Sequence, residues 1–292
     1  MSRIGYPPGM LRSTFIHSPG VGDRTERWLW ESGITDWDRF RAQGEIPGIG
    51  PTVRGRIDAA LTSSMTALAR GDAGHFQRVL PSREAWRMYG EFRGSTRYLD
   101  IETAGLDWRE DRITVIGVSD GVTSRAFAAG VDLDQFEEAL EGAALLITFN
   151  GKSFDVPLIR RQFPAVRLPP AHIDLRHVLR AVGLRGGLKK IEREIGVDRG
   201  DLSGVDGAFA VALWQRHEAG DRRALPALMR YNLEDVVNLP GLMVWAYNRS
   251  ILLRGAPADP LAVIPPDSPS IEYDRSILHE IAAEIAASGS YW

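Results

Sequence analysis

The apolar run at residues 144–149 (ALLITF) places the strongest constraint on the fold. It has the length of a strand and lacks the polar alternation of a half-exposed one, which is typical of a strand buried on both faces. Three β-like runs precede it, at residues 97–102, 113–118 and 124–128. A meander followed by strands that alternate with helices indicates an α/β fold, with a mixed β-sheet flanked by helices.

Apolar residues at helical spacing and changes in composition divide the rest of the chain. We expect a small all-α domain at residues 1–80, a larger α/β domain at residues 81–250 and a tail at residues 251–292, which opens with a proline-rich stretch. The predicted helices of the last two units lie at residues 81–94, 134–140, 188–195, 207–218, 225–245 and 276–287.

A short repeat marks the N-terminal unit. Residues 19–22 (PGVG) and 47–50 (PGIG) each precede a helix-compatible stretch, and this arrangement resembles a pair of helix-hairpin-helix motifs, which grip the DNA backbone. Glycine permits positive φ and exposes backbone N–H groups at a helix start, where a phosphate can bind. Pro-Gly-x-Gly is also a common connection between two helices. The candidate backbone contacts are Gly20, Gly22, Gly48 and Gly50.

Composition excludes several classes of protein. The 292 residues are 44% hydrophobic and 25% charged, as in globular proteins, and no apolar run reaches the length of a membrane span. The absence of cysteine excludes disulfides and cysteine-ligated zinc. Because the chain also begins without a secretory pattern, we expect a cytoplasmic protein. The net charge of −3 gives no global indication of nucleic-acid binding.

Two carboxylates end the first predicted strand. The two-residue period of a strand directs Asp100 and Glu102 to one face, while Leu99 and Ile101 point into the core. Adjacent carboxylates raise each other's pKa unless a cation lies between them, and Mg²⁺ suits such a site. A pair of this kind also occurs by chance in solvated turns.

Two later segments carry further acids. In residues 150–155 (NGKSFD), Asn150 can hold the turn and Ser153 is the predicted helix N-cap, which puts Asp155 in the first helical turn. Tyr231 and Asp235 are four residues apart and share one face of a helix. Each segment alone is also compatible with an ordinary capped or solvated helix.

Taken in order, these patterns resemble the three exonuclease motifs of the DEDDy branch of the DnaQ-like superfamily, and most closely the YprB-type ribonuclease-H-like family. The resemblance covers roughly residues 75–245, and all four ligand positions are retained. Arg230 stands where a variant of the third motif has histidine. The resembling segments are residues 98–103 (YLDIET), 148–155 (TFNGKSFD), 172–176 (HIDLR), 186–192 (GGLKKIE) and 231–235 (YNLED).

The resemblance implies a ribonuclease-H-like fold and a metal-dependent 3′–5′ exonuclease. Two Mg²⁺ or Mn²⁺ ions about 4 Å apart would clamp the attacking and leaving oxygens. Asp100 would bridge both ions, and Asp155 and Asp235 would complete the two metal sites. Glu102 would hold one ion and contact the terminal 3′-hydroxyl. Tyr231 would position the attacking water.

The three lysines of the chain are candidate contacts to nucleic acid. Lys152 lies beside the predicted site, and Lys189 and Lys190 occupy a first helical turn, where the helix dipole disfavours cations unless phosphates approach. Asp174 is interpreted as a helix N-cap or a supporting acid. The full set of predicted contacts is Thr103, Asn150, Lys152, Phe154, Lys189 and Lys190, with the four glycines of the repeat.

Two other functions remain open at this point. Related folds cut junctions and hybrids internally, so a structure-selective endonuclease is the second reading. A non-catalytic nucleic-acid-binding scaffold with structural acids is the third. The expected partner is nucleic acid, with DNA favoured over RNA because of the hairpin-like repeat, and no pattern indicates a protein partner or a membrane.

Overall fold

The computed structural model describes residues 9–105, 112–200, 207–263 and 269–287. Within these residues one mixed sheet has five strands in the order β3-β2-β1-β4-β5. The strands are β1 Thr96–Thr103, β2 Ile113–Ser119, β3 Ser124–Ala128, β4 Leu145–Thr148 and β5 Ala171–Asp174.

The strand directions bring the ends of β1 and β4 to one edge of the sheet. β1, β2 and β3 form an antiparallel meander, while β4 runs parallel to β1 and β5 parallel to β4. Tyr98 pairs with Ile147 near the end of β4, so β1 continues past its neighbour. The loop that follows β4 therefore lies beside the last residues of β1, among them Asp100 and Glu102.

Helices cover both faces of the sheet, and the predicted fold class, including the helical N-terminal region, is confirmed. No helix in the described ranges has both the length and the apolar character needed to cross a membrane. The α-helices are α1 Asp23–Glu31, α2 Trp37–Ala42, α3 Pro51–Ala69, α4 Ala73–Val79, α5 Tyr89–Phe92, α6 Asp155–Gln162, α7 Leu175–Ala181, α8 Leu188–Glu194, α9 Gly207–Glu218, α10 Ala224–Arg254 and α11 Ser276–Ala287.

Two predicted helices take a tighter form. Residues 81–94 are not one helix but a 3₁₀ segment, Ser82–Met88, followed by α5 and a second short 3₁₀ turn. A 3₁₀ helix has three residues per turn, so Glu84 and Arg87 stack on one side and pair at 2.8 Å. The predicted helix at 134–140 is likewise a 3₁₀ helix, Leu133–Leu140.

One hydrophobic cluster joins the N-terminal helices to the sheet. Phe40 and Leu61 belong to the same buried cluster as Leu145 of β4 and Leu242 of α10. Leu146, the next residue of β4, packs into a second cluster on the opposite face of the sheet. The side chains of β4 are therefore buried on both faces, as the apolar run predicts.

The two glycine turns of the repeat adopt similar backbone conformations. Gly20 and Gly48 have positive φ angles of +87° and +81°. In each turn the following residue donates its N–H to the carbonyl three residues earlier, at 3.1 and 3.0 Å. Gly22 and Gly50 then form the N-caps of α1 and α3. The sequence repeat is thus a structural repeat.

Candidate active site

Three carboxylates meet at the edge where β1 passes under α10. The side chains of Asp100, Glu102 and Asp235 each place an oxygen within 4.8 Å of the others, among the residues that the structure describes. Asp100 and Glu102 come from one face of β1, and Asp235 comes from α10. A strand and a helix that are far apart in sequence therefore build one acidic cluster.

Gly117 allows α10 to approach the sheet. It lies opposite Asp100 in the β1–β2 register. A Cβ atom at this position would lie 2.2 Å from Asn232 Oδ1 and 2.8 Å from Val236 Cγ2, closer than real contacts permit. The missing side chain lets the Asn232 amide donate to Asp100 Oδ2 at 3.1 Å.

Asp155 joins the cluster from the start of α6. Its carboxylate is buried, accepts the N–H of Ile101 and repels Asp100. Its Oδ1 atom has no hydrogen-bond partner among the described residues. Such an oxygen is expected to have a ligand, because buried polar atoms without partners are uncommon.

The predicted Ser153 N-cap is wrong. Phe154 occupies the N-cap position of α6, and no side chain caps this helix. The N–H of Val156, which a Ser153 hydroxyl would have accepted, instead donates to the Gly151 carbonyl at 2.9 Å. The tight turn after β4 satisfies this group with backbone alone.

Asp174 shapes the loop that carries Asp155. Its carboxylate accepts the N–H groups of Asn150 at 2.9 Å and Lys152 at 3.0 Å. It also caps α7 by accepting the N–H of Arg176 at 3.1 Å, so the N-cap interpretation is confirmed. Asn150 holds a left-handed φ of +68°, and its side chain accepts from the Arg176 guanidinium at 2.6 Å. The loop is therefore fixed by hydrogen bonds before any ligand binds.

Burial and repulsion between carboxylates raise the pKa of Asp100, Glu102 and Asp155. Desolvation, followed by repulsion from Asp155 and Asp235, puts the pKa of Asp100 well above its usual range. Desolvation and Asp235 raise the pKa of Glu102 to about 8, and desolvation raises the pKa of Asp155 to about 7. Without a cation the cluster holds protons near neutral pH. This all-oxygen donor set fits a hard divalent cation such as Mg²⁺ or Mn²⁺.

Lys189 reaches into the cluster from α8. Its Nζ atom donates to the Tyr231 hydroxyl, lies 3.8 Å from Asp235 Oδ2 and stands 4.4 Å from the centre of the Tyr231 ring. Burial, with repulsion from Asp235 and Glu102, raises the pKa of Tyr231. The phenol therefore stays protonated, and because Lys189 occupies its oxygen lone pair, its own hydrogen is available to another acceptor.

The sequence reasoning missed a buried group that supports Asp235. Arg199 is 8% exposed, forms an ion pair with Asp235 and donates to Glu192 at 2.7 Å. Glu192 in turn accepts from the Asn238 amide at 3.0 Å. Asn232 and Asn238 lie three residues before and after Asp235, so helical spacing could have identified both. Arg199 follows α8 and has no comparable signal.

The remaining predicted contacts are placed as follows. Lys152 is half-buried, which lowers its pKa, whereas Lys190 is exposed and pairs with Glu194 at 3.7 Å. The Thr103 hydroxyl donates to the Gly105 carbonyl, and Phe154 packs partly against the sheet core. The four repeat glycines lie at the starts of α1 and α3. Arg230 pairs with Glu234 at 3.0 Å and donates to the Pro269 carbonyl at 2.6 Å.

Comparison with known proteins identifies one family. The model of the RNase_H superfamily matches residues 97–247, just over half of the chain. No curated protein matches the sequence.

Solved structures that match part of this chain include those of three proteins. NrnC of Brucella melitensis is 22% identical with a TM-score of 0.40, and the match covers 58% of this chain and 79% of that one. The family B DNA polymerase of Pyrobaculum calidifontis is 20% identical with a TM-score of 0.39, over 54% of this chain and 24% of that one. The EXO domain of Aedes aegypti Nibbler is 13% identical with a TM-score of 0.40, over 59% and 86%. At these values the similarities assign no activity or substrate to this chain.

Proposed function

This chain belongs to the RNase H superfamily, and from that membership we propose that it is a metal-dependent nuclease, a DEDDy-type 3′–5′ exonuclease. The observation that carries the proposal is the partly buried cluster of Asp100, Glu102 and Asp235, whose oxygens lie within 4.8 Å of one another. Carboxylates gathered at such a cost in desolvation and repulsion are typical of a functional site. Nothing else in the described structure neutralises all of them.

The proposal assigns two divalent cations to the cluster, Mg²⁺ or Mn²⁺. Asp100, Glu102 and Asp235 would hold them, together with the unpartnered oxygen of Asp155. When bound, the ions supply Lewis-acid catalysis, which polarises the scissile phosphate and makes water a stronger nucleophile. Arg199 and Asn232 fix the ligands Asp235 and Asp100 before the cations arrive.

Tyr231 and Lys189 act on the substrate side of the site. The protonated Tyr231 hydroxyl donates a hydrogen bond that orients the attacking water or a phosphate oxygen. Lys189 holds the phenol oxygen in place and brings a positive charge toward the scissile phosphate. Both groups stabilise negative charge that develops as the phosphodiester bond breaks.

The proposed substrate is nucleic acid, and we favour DNA with single-stranded 3′ ends. Lys152 and Lys190 would contact backbone phosphates beyond the scissile bond. The matching turns at Gly20–Gly22 and Gly48–Gly50 support a second contact to the DNA backbone. Each turn places glycine at the N-cap, with no atom within 4 Å of where a Cβ would stand.

The test uses single-stranded DNA and RNA labelled at the 5′ or the 3′ end, with Mg²⁺, Mn²⁺ or EDTA. Asp100→Asn is the test variant, and Asp134→Asn, which removes an exposed carboxylate outside the cluster, is its control. We expect a metal-dependent ladder that shortens from the 3′ end, is lost in Asp100→Asn and is kept in Asp134→Asn. Internal cuts on a substrate with a blocked 3′ end would favour the endonuclease. Absence of cleavage with both metals would refute the proposal.

A further inference from the structure

An open groove runs along α1 toward the C-terminal end of α10; we call it the α1 groove. Its first part is a cavity of about 430 Å³ lined by Asp23, Arg24, Arg27, Trp28 and Glu31. Its second part, of about 390 Å³, shares Arg27 and Glu31 and extends to Leu253 and Arg254. The groove lies outside the carboxylate cluster and is not needed for the chemistry proposed there.

The α1 groove carries positive charge that has no internal partner. Arg24 and Arg27 are exposed, and neither forms an ion pair within the described parts of the chain. The nearby acid Asp23 is already neutralised, because it pairs with Arg83 at 3.0 Å and with Arg254 at 3.8 Å. Glu31 also lines the groove as an exposed acid, so Asp23, Arg24, Arg27, Glu31 and Arg254 together carry a net charge of +1. On a chain with a net charge of −3, this local excess of arginine favours an anionic ligand.

Trp28 differs from its neighbouring tryptophans. Trp30 and Trp37 are buried, and their indole N–H groups donate to backbone carbonyls at 2.9 and 2.7 Å, so both have a structural role. Trp28 is only half-buried and borders the cavity between the two unpaired arginines. An accessible aromatic ring beside arginines is the combination that binds single-stranded nucleic acid, through base stacking and phosphate contacts.

The α10 helix sets the distance between the α1 groove and the cluster. Arg254, which contacts Asp23, is the last residue of α10, and Asp235 lies earlier in the same helix. At 1.5 Å per residue the separation along the helix axis is roughly 28 Å, which is at most about eight nucleotides at the 3.4 Å spacing of one strand in a duplex, since a free single strand can extend further. A strand of that length or longer is therefore long enough to span both places.

We propose that the α1 groove is a binding site for single-stranded nucleic acid, where a base stacks on Trp28 and backbone phosphates contact Arg24 and Arg27. The inference rests on the proposed function, because the strand held in the groove is the part that lies upstream of the 3′ end at the carboxylates. The site binds the strand without reading its sequence, since stacking accepts every base.

The test measures binding of labelled 6-, 12- and 20-nucleotide single strands, as DNA and as RNA, in EDTA and over a range of salt concentrations. The variants are Arg24→Gln with Arg27→Gln, Trp28→Leu, and Trp28→Phe, which keeps an aromatic ring. Arg222→Gln is the matched control, because Arg222 is also exposed and without an ion pair among the described residues.

For the parent protein we expect affinity to rise with length once the strand exceeds about eight nucleotides. Trp28→Leu should weaken binding of the 20-nucleotide strand roughly 5- to 150-fold, while Trp28→Phe retains most of it. The double arginine variant should lower the salt slope by roughly 1.4, because each phosphate contact on a single strand contributes about 0.7. Arg222→Gln should bind like the parent, and the DNA and RNA arms identify the preferred strand.

Two outcomes would overturn the α1 groove as a binding site. One is a set of groove variants that bind the 20-nucleotide strand as the parent does. The other is a loss in Arg222→Gln equal to that in the groove variants, which would indicate a non-specific charge effect. These results can be distinguished from failure of the nuclease proposal. If the parent protein cleaves short strands but binds long strands no more tightly than short ones, only the proposed role of the α1 groove is refuted.

Discussion

At the scale of single residues, the repulsion within the cluster makes a prediction about stability. Asp100→Asn should abolish hydrolysis yet raise the free energy of unfolding in EDTA near neutral pH, since it removes an acid that must either bind a proton on folding or stay charged beside other carboxylates. The measurements are the labelled-strand assay and thermal unfolding with and without Mg²⁺. A variant less stable than the parent in EDTA would contradict the repulsion.

The raised pKa values give the same cluster a pH dependence. Asp100 and Glu102 bind protons in the folded metal-free protein that the unfolded chain releases near pH 4. The metal-free parent should therefore lose stability as the pH rises from about 4.5 to about 8. Asp100→Asn should flatten this decline, and added Mg²⁺ should stabilise more at pH 8 than at pH 5.5. Thermal unfolding across this pH range measures both effects.

Lys189 allows a test of whether it acts through Tyr231. Lys189→Met should slow cleavage by roughly 10²- to 10³-fold, the usual loss for one group that stabilises charge in the transition state. Lys189→Arg, which keeps the charge, should be less severe. If the ammonium works by holding the phenol, adding Tyr231→Phe to Lys189→Met should cause little further loss. Full additivity of the two rate losses would separate their roles.

The adjacent residues Lys189 and Lys190 show how much of the site can be predicted from the sequence. The two-residue period of a strand predicted that Asp100 and Glu102 share a face, and the four-residue period of a helix put Asp235 on one face with Tyr231. The position of Asp155 was inferred from a Ser153 N-cap that the structure does not have. The same reasoning treated Lys189 and Lys190 alike, although one reaches Asp235 and the other pairs with Glu194 at the surface. Which face of α8 meets the cluster depends on how the helix packs. The local pattern does not contain that information, and Arg199 escaped detection for the same reason.

At the scale of elements, the contact between β2 and α10 is the tightest constraint on the site. Gly117→Ala should push α10 away, cost about 1–3 kcal/mol of unfolding free energy and lower activity by displacing Asn232 and Asp235. Gly241→Ala is the control, because it lies in α10 with no atom within 4 Å of where its Cβ would stand. That change should stabilise the helix by up to about 1 kcal/mol. Denaturant unfolding and the cleavage assay report the two effects separately.

At this scale most element positions follow from periodicity, and the failures have local causes. The strands and long helices fall close to their predicted positions. Residues 81–94 do not form the single predicted α-helix. The 3₁₀ turn there, with three residues per turn, places Arg87 next to Glu84 and allows their ion pair. The α10 helix runs past its predicted end to Arg254, where Gly255 adopts a left-handed conformation and ends it.

At the scale of the whole molecule, a buried ion network joins the N-terminal helices to the ribonuclease-H-like fold. Arg87 is fully buried and pairs with Glu26 and Glu84 at 2.8 Å each, and Arg254 of α10 reaches Glu84 at 2.7 Å. The network lies beside the hydrophobic cluster that the two regions share. We therefore expect residues 1–80 and the α/β domain to unfold in one transition.

Arg87→Met tests this coupling. It leaves Glu26 buried without a cation, while Glu84 keeps its ion pair with Arg254, so it should cost about 3–5 kcal/mol of unfolding free energy. Arg78→Met removes an exposed arginine that pairs with Asp72 at 3.6 Å, outside this network, and should cost less than about 1 kcal/mol. Urea unfolding followed by tryptophan fluorescence and by circular dichroism measures both changes. Two separate transitions in the parent protein would contradict the coupling.

The fixed span of α10 between the α1 groove and the carboxylates bears on how digestion would end. Under the proposed function, a long strand held at both places would be shortened from its 3′ end until it no longer spanned the helix. A remnant of at most roughly eight nucleotides would then be held at one place only, so it would dissociate and be attacked slowly. Digestion of a long single strand should therefore pause at a limit fragment of about that size. In Trp28→Leu, remnants of all lengths should instead disappear at similar rates.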